Sequence, residues 1–405
     1  MENKQPAVRF LGFEGNWSRE KFKNYISKSG KRNSRDENIP AYSVSNKVGL
    51  VQQSEHFENS RLDNLDKKSY KFVHPKEFAY NPARINVGSI AFNNLNHSVL
   101  VSSLYVVIKM SEKIDNEYIL QYIKSRDFIN EVRRNTEGSV REYLFFENFK
   151  NIRFPYVGNI NEQKKIGFFL KQFDERIFLH QQELTTLKQT KQGFLQKMFP
   201  KEGEKVPEVR FPGFTDDWEQ LRLGDIALLC SSKRIHLSDY VKKGVPFYRG
   251  SEISTRGVAE KQELFISEEL YQDIKEKYGV PSENDLLITA VGTLGNVWKV
   301  DNRKFYYKDG NLIQLSNLKA DSDYVYSYFD DGIGKKRLLD SAAGSNQKAL
   351  TMVKMREIII PVPTRSEQKK IGSFFKQLDK TIALHQRELE LLQLTKKAFL
   401  QKLFV

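Results

Sequence analysis

Two Glu-x-Lys motifs are the first candidates for chemistry in this chain. Glu162-x-Lys164 and Glu367-x-Lys369 each match one half of a nuclease metal site. A convincing Pro-Asp partner precedes neither copy, and each copy stands where a long repeated helix is predicted to begin. We therefore interpret both glutamates as helix-capping groups, which the positive end of a helix dipole favours.

Other catalytic signatures are weak or missing. Residues 81–84, Asn-Pro-Ala-Arg, partly match an amino-methyltransferase signature but lack its second proline and its base-stacking aromatic residue. Neither a P-loop nor a G-x-G-x-x-G sequence occurs. The six histidines lie singly, without the spacing of a zinc site. We predict no catalytic residue and no metal site, and therefore a binding role.

The net charge of +14 and the pI near 9.4 indicate a polyanionic partner, nucleic acid before membrane. A merely basic soluble enzyme is the alternative. At 405 residues the chain has room for about two to three domains. It lacks an apolar run of the ~18 residues that span a bilayer and a signal peptide. Its single cysteine, Cys230, argues against a disulfide framework, and we predict a cytoplasmic protein.

A long internal repeat organises the chain. Residues 161–199 recur at 366–404 with 24 of 39 positions identical. A shorter match opens each half of the chain: Val8-Arg9-Phe10 and Trp17 match Val209-Arg210-Phe211 and Trp218. The period of about 200 residues excludes solenoid repeats, which recur every 20–50 residues. The protein is therefore one unit used twice.

Both copies follow the coiled-coil period, in which apolar residues alternate steps of four and three. Lys191 and Lys396 occupy polar positions on the same seam. The two histidines of the seam are interpreted as register-setting residues, with a metal or pH role as the alternative. The predicted seam and interface residues are Ile166, Leu170, Phe173, Ile177, His180, Leu184, Leu187, Phe194, Met198, Ile371, Phe375, Leu378, Ile382, His385, Leu389, Leu392, Phe399 and Leu403.

Each repeat is predicted to be a helix of ~58 Å that begins at an N-cap, Asn161 or Ser366. The link at 200–208 is too short to return along the first helix at ~3.5 Å per residue. The two helices should therefore run antiparallel, with the domains at opposite ends about an approximate two-fold axis. Outer helix faces, including Phe194, Met198, Phe399 and Leu403, could then serve a partner bundle.

The remaining segments are predicted to form α+β domains. Strands are expected at 41–44, 98–109, 151–157, 245–250, 285–291, 296–300 and 357–362, and helices at 115–135 and 321–339. The predicted boundaries are 1–157 for the first domain, 158–199 for the first helix, 200–208 for the linker, 209–363 for the second domain and 364–405 for the second helix.

One motif leads into both helices. Residues 361–371 are Pro-Val-Pro-Thr-Arg-Ser-Glu-Gln-Lys-Lys-Ile, and residues 156–166 end in the same Glu-Gln-Lys-Lys-Ile. Two dissimilar domains, each followed by this helix, resemble the specificity subunits of type I restriction–modification enzymes. The resemblance covers the whole chain, including Trp17, Trp218 and the Phe-Leu-Gln-Lys helix ends.

The resemblance implies two α+β target recognition domains joined by antiparallel coiled-coil helices with pseudo-two-fold symmetry. It implies double-stranded DNA, two methyltransferase subunits and two restriction–translocase subunits as partners, and a chain that is itself not catalytic. No cofactor is expected on this chain; S-adenosylmethionine, ATP and Mg²⁺ are implied for the partners. Such complexes bind asymmetric bipartite sites, methylate adenine and cut unmodified DNA.

Side-chain chemistry and loop position give candidate DNA contacts. Arginine suits guanine, amides suit adenine, and exposed Lys-Arg pairs suit phosphates. For each residue, an ordinary solvated surface position is the alternative. Base-contact candidates are Ser43, Ser45, Asn46, Lys47, Arg84, Asn86, Arg249, Ser251, Arg256, Asn346, Gln347 and Lys348; phosphate candidates are Lys31, Arg32, Lys233 and Arg234.

Two rival functions make different predictions. A coiled-coil scaffold would have no salt-dependent affinity for DNA, whereas a protein that binds phosphates loses affinity as salt rises. An autonomous nuclease or methyltransferase would act on its own with magnesium or a methyl donor. The missing catalytic signatures argue against the autonomous enzyme, and the net charge of +14 favours a nucleic-acid partner over a scaffold.

Overall fold

The computed structural model describes residues 5–45, 49–53, 67–137, 143–254, 257–258, 263–344 and 348–404. The chain divides into two compact units. Unit 1 comprises Met1–Gln181 and Arg387–Val405, and unit 2 comprises Gln182–Gln386. Both divisions fall within the long helices, so each unit contains one domain and a segment of each helix.

In unit 1, short strands precede short helices. The helices are α1 (Asn116–Ile123), α2 (Arg126–Asn135) and α3 (Phe146–Phe149). The strands are β1 (Ser18–Lys21), β2 (Ile26–Ser29), β3 (Ala41–Ser45), β4 (Gly49–Gln52), β5 (Lys71–Val73), β6 (Glu77–Tyr80), β7 (Ile90–Phe92), β8 (Val99–Val101), β9 (Val106–Met110) and β10 (Arg153–Tyr156).

Two four-stranded sheets form most of this domain, with strand orders β2-β9-β6-β7 and β4-β3-β8-β5. β3 and β8 are parallel, and β1 pairs with β10 antiparallel. The prediction of one strand over 98–109 is wrong, because the chain turns between β8 and β9. The N–H of Tyr105 donates to the carbonyl of Ser102 (3.0 Å) and closes that turn.

Unit 2 has a similar series of elements. Its short helices are α5 (Leu223–Ile226), α6 (Glu268–Tyr278), α7 (Ser322–Asp330), α8 (Gly332–Asp340) and α9 (Met352–Arg356). The strands are β11 (Glu219–Arg222), β12 (Leu228–Cys230), β13 (Tyr240–Val241), β14 (Val245–Tyr248), β15 (Ile253–Ser254), β16 (Gly257–Val258), β17 (Phe265–Ile266), β18 (Leu286–Thr289), β19 (Val297–Lys299), β20 (Tyr306–Tyr307), β21 (Leu312–Ser316) and β22 (Ile359–Val362).

The two domains share a topology despite their dissimilar sequences. The sheet β12-β21-β18-β19 corresponds to β2-β9-β6-β7, and the parallel pair β14 and β20 corresponds to β3 and β8. β11 pairs with β22 as β1 pairs with β10. The α+β prediction is confirmed, and the duplication includes the segments that differ in sequence.

The tryptophan that recurs in the two halves of the chain is buried at the same place in each unit. Trp17 and Trp218 lie just before β1 and β11 and are only 3% and 2% exposed. Trp17 meets Tyr118 edge to face with ring centroids 6.3 Å apart, and Trp218 meets Tyr324 in the same way at 6.1 Å. These contacts bury large apolar surfaces between β1 and α1 in unit 1 and between β11 and α7 in unit 2.

The long helices are α4 (Ile160–Lys197) and α10 (Arg365–Leu403). In unit 1, Phe169 of α4 packs on Phe399 of α10, and Asp174, further along α4, binds Lys396, further back along α10. The helices are therefore antiparallel within the unit, as predicted. Unit 2 has the same opposed order in the pairs Phe194–Phe374 and Lys191–Asp379.

Each long helix is capped two residues earlier than predicted, so the predicted caps are wrong. Asn159 caps α4: its side-chain oxygen accepts from the N–H groups two and three residues on, at 3.0 and 3.4 Å. Thr364 caps α10 through its hydroxyl oxygen, which accepts from the N–H three residues on at 3.4 Å. The predicted caps Asn161 and Ser366 lie in the first turn, because the chain enters each helix within three residues of β10 or β22.

The predicted seam residues are all at least half buried. Met198 and Leu403 pack into the cores of their own units, so they are not free for a partner helix. The buried seam residues are Ile166, Leu170, Leu184, Met198, Ile371, Phe375, Leu389 and Leu403. The half-buried seam residues are Phe173, Ile177, His180, Leu187, Phe194, Leu378, Ile382, His385, Leu392 and Phe399.

Among the described helices, none has the length and apolar content needed to cross a membrane.

Candidate nucleic-acid interface

A buried ion pair joins the start of each long helix to the segment that precedes its domain. The guanidinium of Arg9 donates to both oxygens of Glu162 at 2.7 and 2.8 Å, and Arg210 does the same to Glu367 at 2.7 and 2.9 Å. Both carboxylates are 0% exposed. The bond to Glu162 raises the pKa of Arg9 above its ordinary value. Both glutamates lie in the first turn of their helices, as predicted, and each also binds an arginine in a geometry that uses both carboxylate oxygens.

The glutamine of the repeated motif links each long helix to one short helix of the domain, α1 in unit 1 and α7 in unit 2. The Gln163 side-chain oxygen accepts from the N–H of Asp115 (2.8 Å), while its amide nitrogen donates to the carbonyl of Val157 (2.8 Å). Gln368 accepts in the same way from the N–H of Asp321 (2.8 Å). Asp115 and Asp321 cap α1 and α7, so the motif fixes corresponding elements in both units.

The glycine that ends the motif permits a close approach of backbones. A Cβ on Gly167 would lie 2.7 Å from the backbone nitrogen of Tyr118, and one on Gly372 would lie 2.8 Å from that of Tyr324. Real Cβ contacts do not occur at such distances, so only glycine fits. The sequence Glu-Gln-x-x-Ile-Gly is therefore a structural joint that orients each domain on its helix.

One lysine lies where the helices meet each domain, Lys396 buried in unit 1 and Lys191 mostly buried in unit 2. In unit 1 the ammonium of Lys396 is 2.5 Å from Asp174, whose other oxygen accepts from Lys124 at 2.8 Å. In unit 2, Lys191 lies 2.5 Å from Asp330 and 2.6 Å from Asp379. The two clusters thus differ by the replacement of a cation with an anion.

This difference in neighbouring charge shifts the pKa values of the two lysines in opposite directions. Burial, together with the positive charge of Lys124, lowers the pKa of Lys396 to about 8. Burial also opposes the charge on Lys191, but its two carboxylate partners outweigh that effect and raise its pKa.

The seam histidines pair with glutamates within their own units: His180 lies 3.7 Å from Glu388 and His385 lies 3.4 Å from Glu183. A register role for these histidines stays a prediction.

The predicted phosphate contacts lie at corresponding places in the two domains. Residues 29–32 (Ser-Gly-Lys-Arg) end and follow β2, and residues 231–234 (Ser-Ser-Lys-Arg) follow β12. We call these segments the cationic turns. β2 and β12 occupy the same edge position in corresponding sheets. Exposed side chains in the turns are Lys31, Arg32, Lys233 and Arg234.

The other candidates are distributed over several loops. Ser43 and Ser45 lie half buried in β3, and Ser43 accepts a bond from Gln53 at 3.2 Å. Arg84 is exposed and Asn86 half buried in the loop between β6 and β7. Lys348 is exposed before α9. The candidates Asn46, Lys47, Arg256, Asn346 and Gln347 lie outside the described residues.

Arg249 has partners that a base contact would have to displace. Its guanidinium donates to Glu252 at 3.1 Å and to Glu263 at 2.9 Å, and these bonds raise its pKa. Ser251, two residues on, is exposed. Of these two residues, Ser251 is therefore the more accessible for a contact with DNA.

Some residues near the candidates escaped the sequence analysis. Lys71 is close to both Lys28 and Arg32: burial first, and then the charges of Lys28 and Arg32, lower its pKa. Arg32 also faces Lys71 in an isolated β-bridge. The shared Ser-x-Lys-Arg sequence was a usable signal, but the contribution of Lys71 required the fold, since it lies 39 residues further on.

The comparisons with known proteins agree with this architecture. The family model "Type I restriction modification DNA specificity domain" matches residues 20–189 and 215–394. A specificity subunit of the MjaVIII type I restriction enzyme of Methanocaldococcus jannaschii is 23% identical over 313 residues, 75% of this chain and 73% of the relative. A putative type I specificity subunit of Haemophilus influenzae is 30% identical over 162 residues, 39% of this chain and 40% of the relative.

A solved structure shows the same fold. The S subunit of a type I restriction–modification system from M. genitalium aligns over 99% of both chains with a TM-score of 0.64 and 15% sequence identity. Two matches of the family model together cover most of the 405 residues, and each includes one domain and most of the helix that follows it. The chain therefore belongs to the type I restriction–modification DNA specificity family.

Proposed function

We propose that this chain is the non-catalytic DNA-recognition subunit of a type I restriction–modification complex. Each unit binds one half of an asymmetric bipartite site, and partner subunits methylate adenine or cut unmodified DNA. The main support is the pair of domains with one topology and different loops. Two similar domains with different contact residues suit two half-sites of different sequence.

The long helices are proposed to set the distance between the half-sites. α4 and α10 contain 38 and 39 residues, or roughly 57–58 Å at about 1.5 Å per residue. That length corresponds to about 17 base pairs, an upper bound on the distance between half-site centres. Packed seam residues and the Glu-Gln-x-x-Ile-Gly joints make the helix–domain connection rigid enough for this role.

Exposed apolar residues on the helices support docking of partner subunits. Leu179 and Leu384 occupy equivalent positions in the repeat, and each is 55% exposed. A repeated apolar position suits two copies of one partner, here two methyltransferase subunits. Two restriction–translocase subunits would join that complex. S-adenosylmethionine, ATP and Mg²⁺ are assigned to the partners.

Base recognition is proposed to come from the loops that differ between the units. Exposed Arg84 and half-buried Asn86 in unit 1 have side chains suited to guanine and adenine. Ser251 and Lys348 are exposed in unit 2. The candidates Asn46, Lys47, Arg256, Asn346 and Gln347 stay predictions from sequence.

Co-expression with the cognate methyltransferase subunit tests the proposal. Methylated adenines would then be mapped across the genome of a host that lacks other adenine methylation. The expected result is two different half-motifs separated by a fixed number of unspecified bases. A methyltransferase that is active without such a motif would contradict the proposed function.

A further inference from the structure

The two cationic turns match each other, although the segments around them differ in sequence between the two domains. Three of their four residues are identical, with Gly30 in one and Ser232 in the other. Each turn leaves the edge strand of its four-stranded sheet, β2 or β12, at the corresponding end. Residues that read bases should differ between domains that bind different half-sites, so this shared element needs another explanation.

In unit 1, buried groups hold the turn in place. The hydroxyl of Ser29 donates to the carboxylate of Glu77 at 2.6 Å, and Glu77 is only 4% exposed. Gly30 has a φ of +84°, and a Cβ there would lie 2.8 Å from Val107. The carbonyl of Lys31 accepts from the N–H of Phe72 at 2.9 Å. The backbone is fixed while the Lys31 and Arg32 side chains are exposed.

In unit 2, different residues hold the turn at the same place. The N–H of Lys233 donates to the hydroxyl of Tyr306 at 2.6 Å, and Tyr306 in β20 is only 2% exposed. The ammonium of Lys233 lies 5.1 Å from the ring centroid of Tyr278, an exposed residue at the end of α6. Each turn is therefore fixed, although its supports differ in sequence.

The cations of both turns have no carboxylate partner among the residues that the structure describes. Within the described ranges, no carboxylate lies within 4.0 Å of the charged groups of Lys31, Arg32, Lys233 or Arg234. Arg249, by contrast, has two glutamate partners. Arg32 and Lys28 both add positive charge beside Lys71, and this charge lowers the pKa of Lys71 after the larger effect of burial. Fixed, exposed and unneutralised cations suit a polyanion.

We propose that the two cationic turns are equivalent phosphate anchors, which hold the DNA backbone of both half-sites in the same way. The assignment rests on the proposed function and adds which residues bind the part of DNA that both half-sites share. Phosphates are the same whatever the bases, so the same Lys-Arg sequence can bind the DNA backbone in both domains. Base specificity is then left to the loops that differ.

The test measures how affinity for DNA depends on salt. The full-length double variants K31A/R32A and K233A/R234A would be titrated with a duplex carrying the mapped methylation site and with a scrambled duplex. Each lost phosphate contact should reduce the slope of log affinity against log salt by about 0.9, so each double variant should lose about 1.8. The loss should be equal in the two variants and on both duplexes, and the methylation motif should stay unchanged.

The matched control is K277A/K336A, which removes two exposed lysines that pair with Asp273 and Asp340. It should leave the slope unchanged, and thermal unfolding of all variants would verify that they fold. A wild-type slope in the turn variants, or an altered methylation motif, would overturn the anchors while leaving the proposed function intact. A wild-type chain that binds both duplexes equally and directs no motif would overturn both.

Discussion

The guanidinium of Arg9 binds the carboxylate of Glu162 through two hydrogen bonds of 2.7 and 2.8 Å, although 152 residues separate them in sequence. Arg210 and Glu367 repeat this relationship in unit 2. The pair explains why two distant parts of each repeat, the Val-Arg-Phe lead and the Glu-Gln helix start, recur together. Each domain is closed by a contact between its beginning and the helix that follows it.

Loss of this carboxylate should destabilise unit 1. Glu162→Gln keeps the shape of the side chain but leaves a largely buried guanidinium without its ionic partner. We expect the free energy of unfolding to fall by about 2–4 kcal/mol in chemical denaturation. Glu367→Gln should act similarly in unit 2.

The matched control is Asp340→Asn, which removes the exposed pair with Lys336. Pairs of this kind contribute about 0–1 kcal/mol, so its stability should stay near that of the wild type. Equal stability of Glu162→Gln and the wild-type chain would show that the buried ion pair is not a structural joint.

A methyl group at the motif glycine should be much more disruptive than elsewhere on the same helix. Gly167→Ala would place a Cβ 2.7 Å from the backbone nitrogen of Tyr118, so α1 must shift and the melting temperature should fall. Gly193→Ala is the control: nothing lies within 4 Å of its Cβ position, and Ala398 stands at the equivalent place in the other repeat. That control should stabilise the helix by about 0.5–1 kcal/mol. Similar melting temperatures for the two variants would contradict the close approach.

The two buried lysines should respond differently to pH. The pKa of Lys396 falls to about 8 from its ordinary 10.5. Between these values the unfolded chain binds more protons than the folded chain, so this group adds stability as pH rises. The stability of the wild type relative to Lys396→Met should therefore increase from pH 8 to pH 10, on the order of 1–3 kcal/mol.

Lys191 provides the matched comparison because its two carboxylates raise its pKa. Its contribution is fully present below the unfolded value of 10.5 and is lost only above it. The difference between the wild type and Lys191→Met should thus stay constant from pH 8 to pH 10. Denaturant titrations of both variants at several pH values would measure this, and parallel pH profiles would contradict the assigned charge environments.

The helices and their packing face were predictable from sequence because a heptad pattern needs only local spacing. Ile166 and Ile371 were predicted in the seam and are 1% and 2% exposed. The predicted caps were off by two residues because a cap depends on where the preceding strand ends. Asn159 could not be chosen over Asn161 until β10 was seen to end at Tyr156.

The contacts that assemble each unit were less predictable, because they join residues far apart in sequence. The recurrence of Arg9 as Arg210 was visible in the sequence, but nothing in its spacing identified Glu162 as the partner of Arg9. The cationic turns were identified by residue type, whereas the common position of β2 and β12 that makes them equivalent required the fold. Arg249 was selected for its chemistry, and its bonds to Glu252 and Glu263 could not be read from the sequence.

The central claim is that the helices set the spacing and the domains set the half-sites. The most direct measurement inserts one heptad into each helix at matched positions, after Gln181 and after Gln386, and maps methylated adenines with the co-expressed methyltransferase. Seven residues add about 10.5 Å, so the account predicts a spacer longer by about three base pairs between unchanged half-motifs. An unchanged spacer, or altered half-motifs, in an active complex would contradict it.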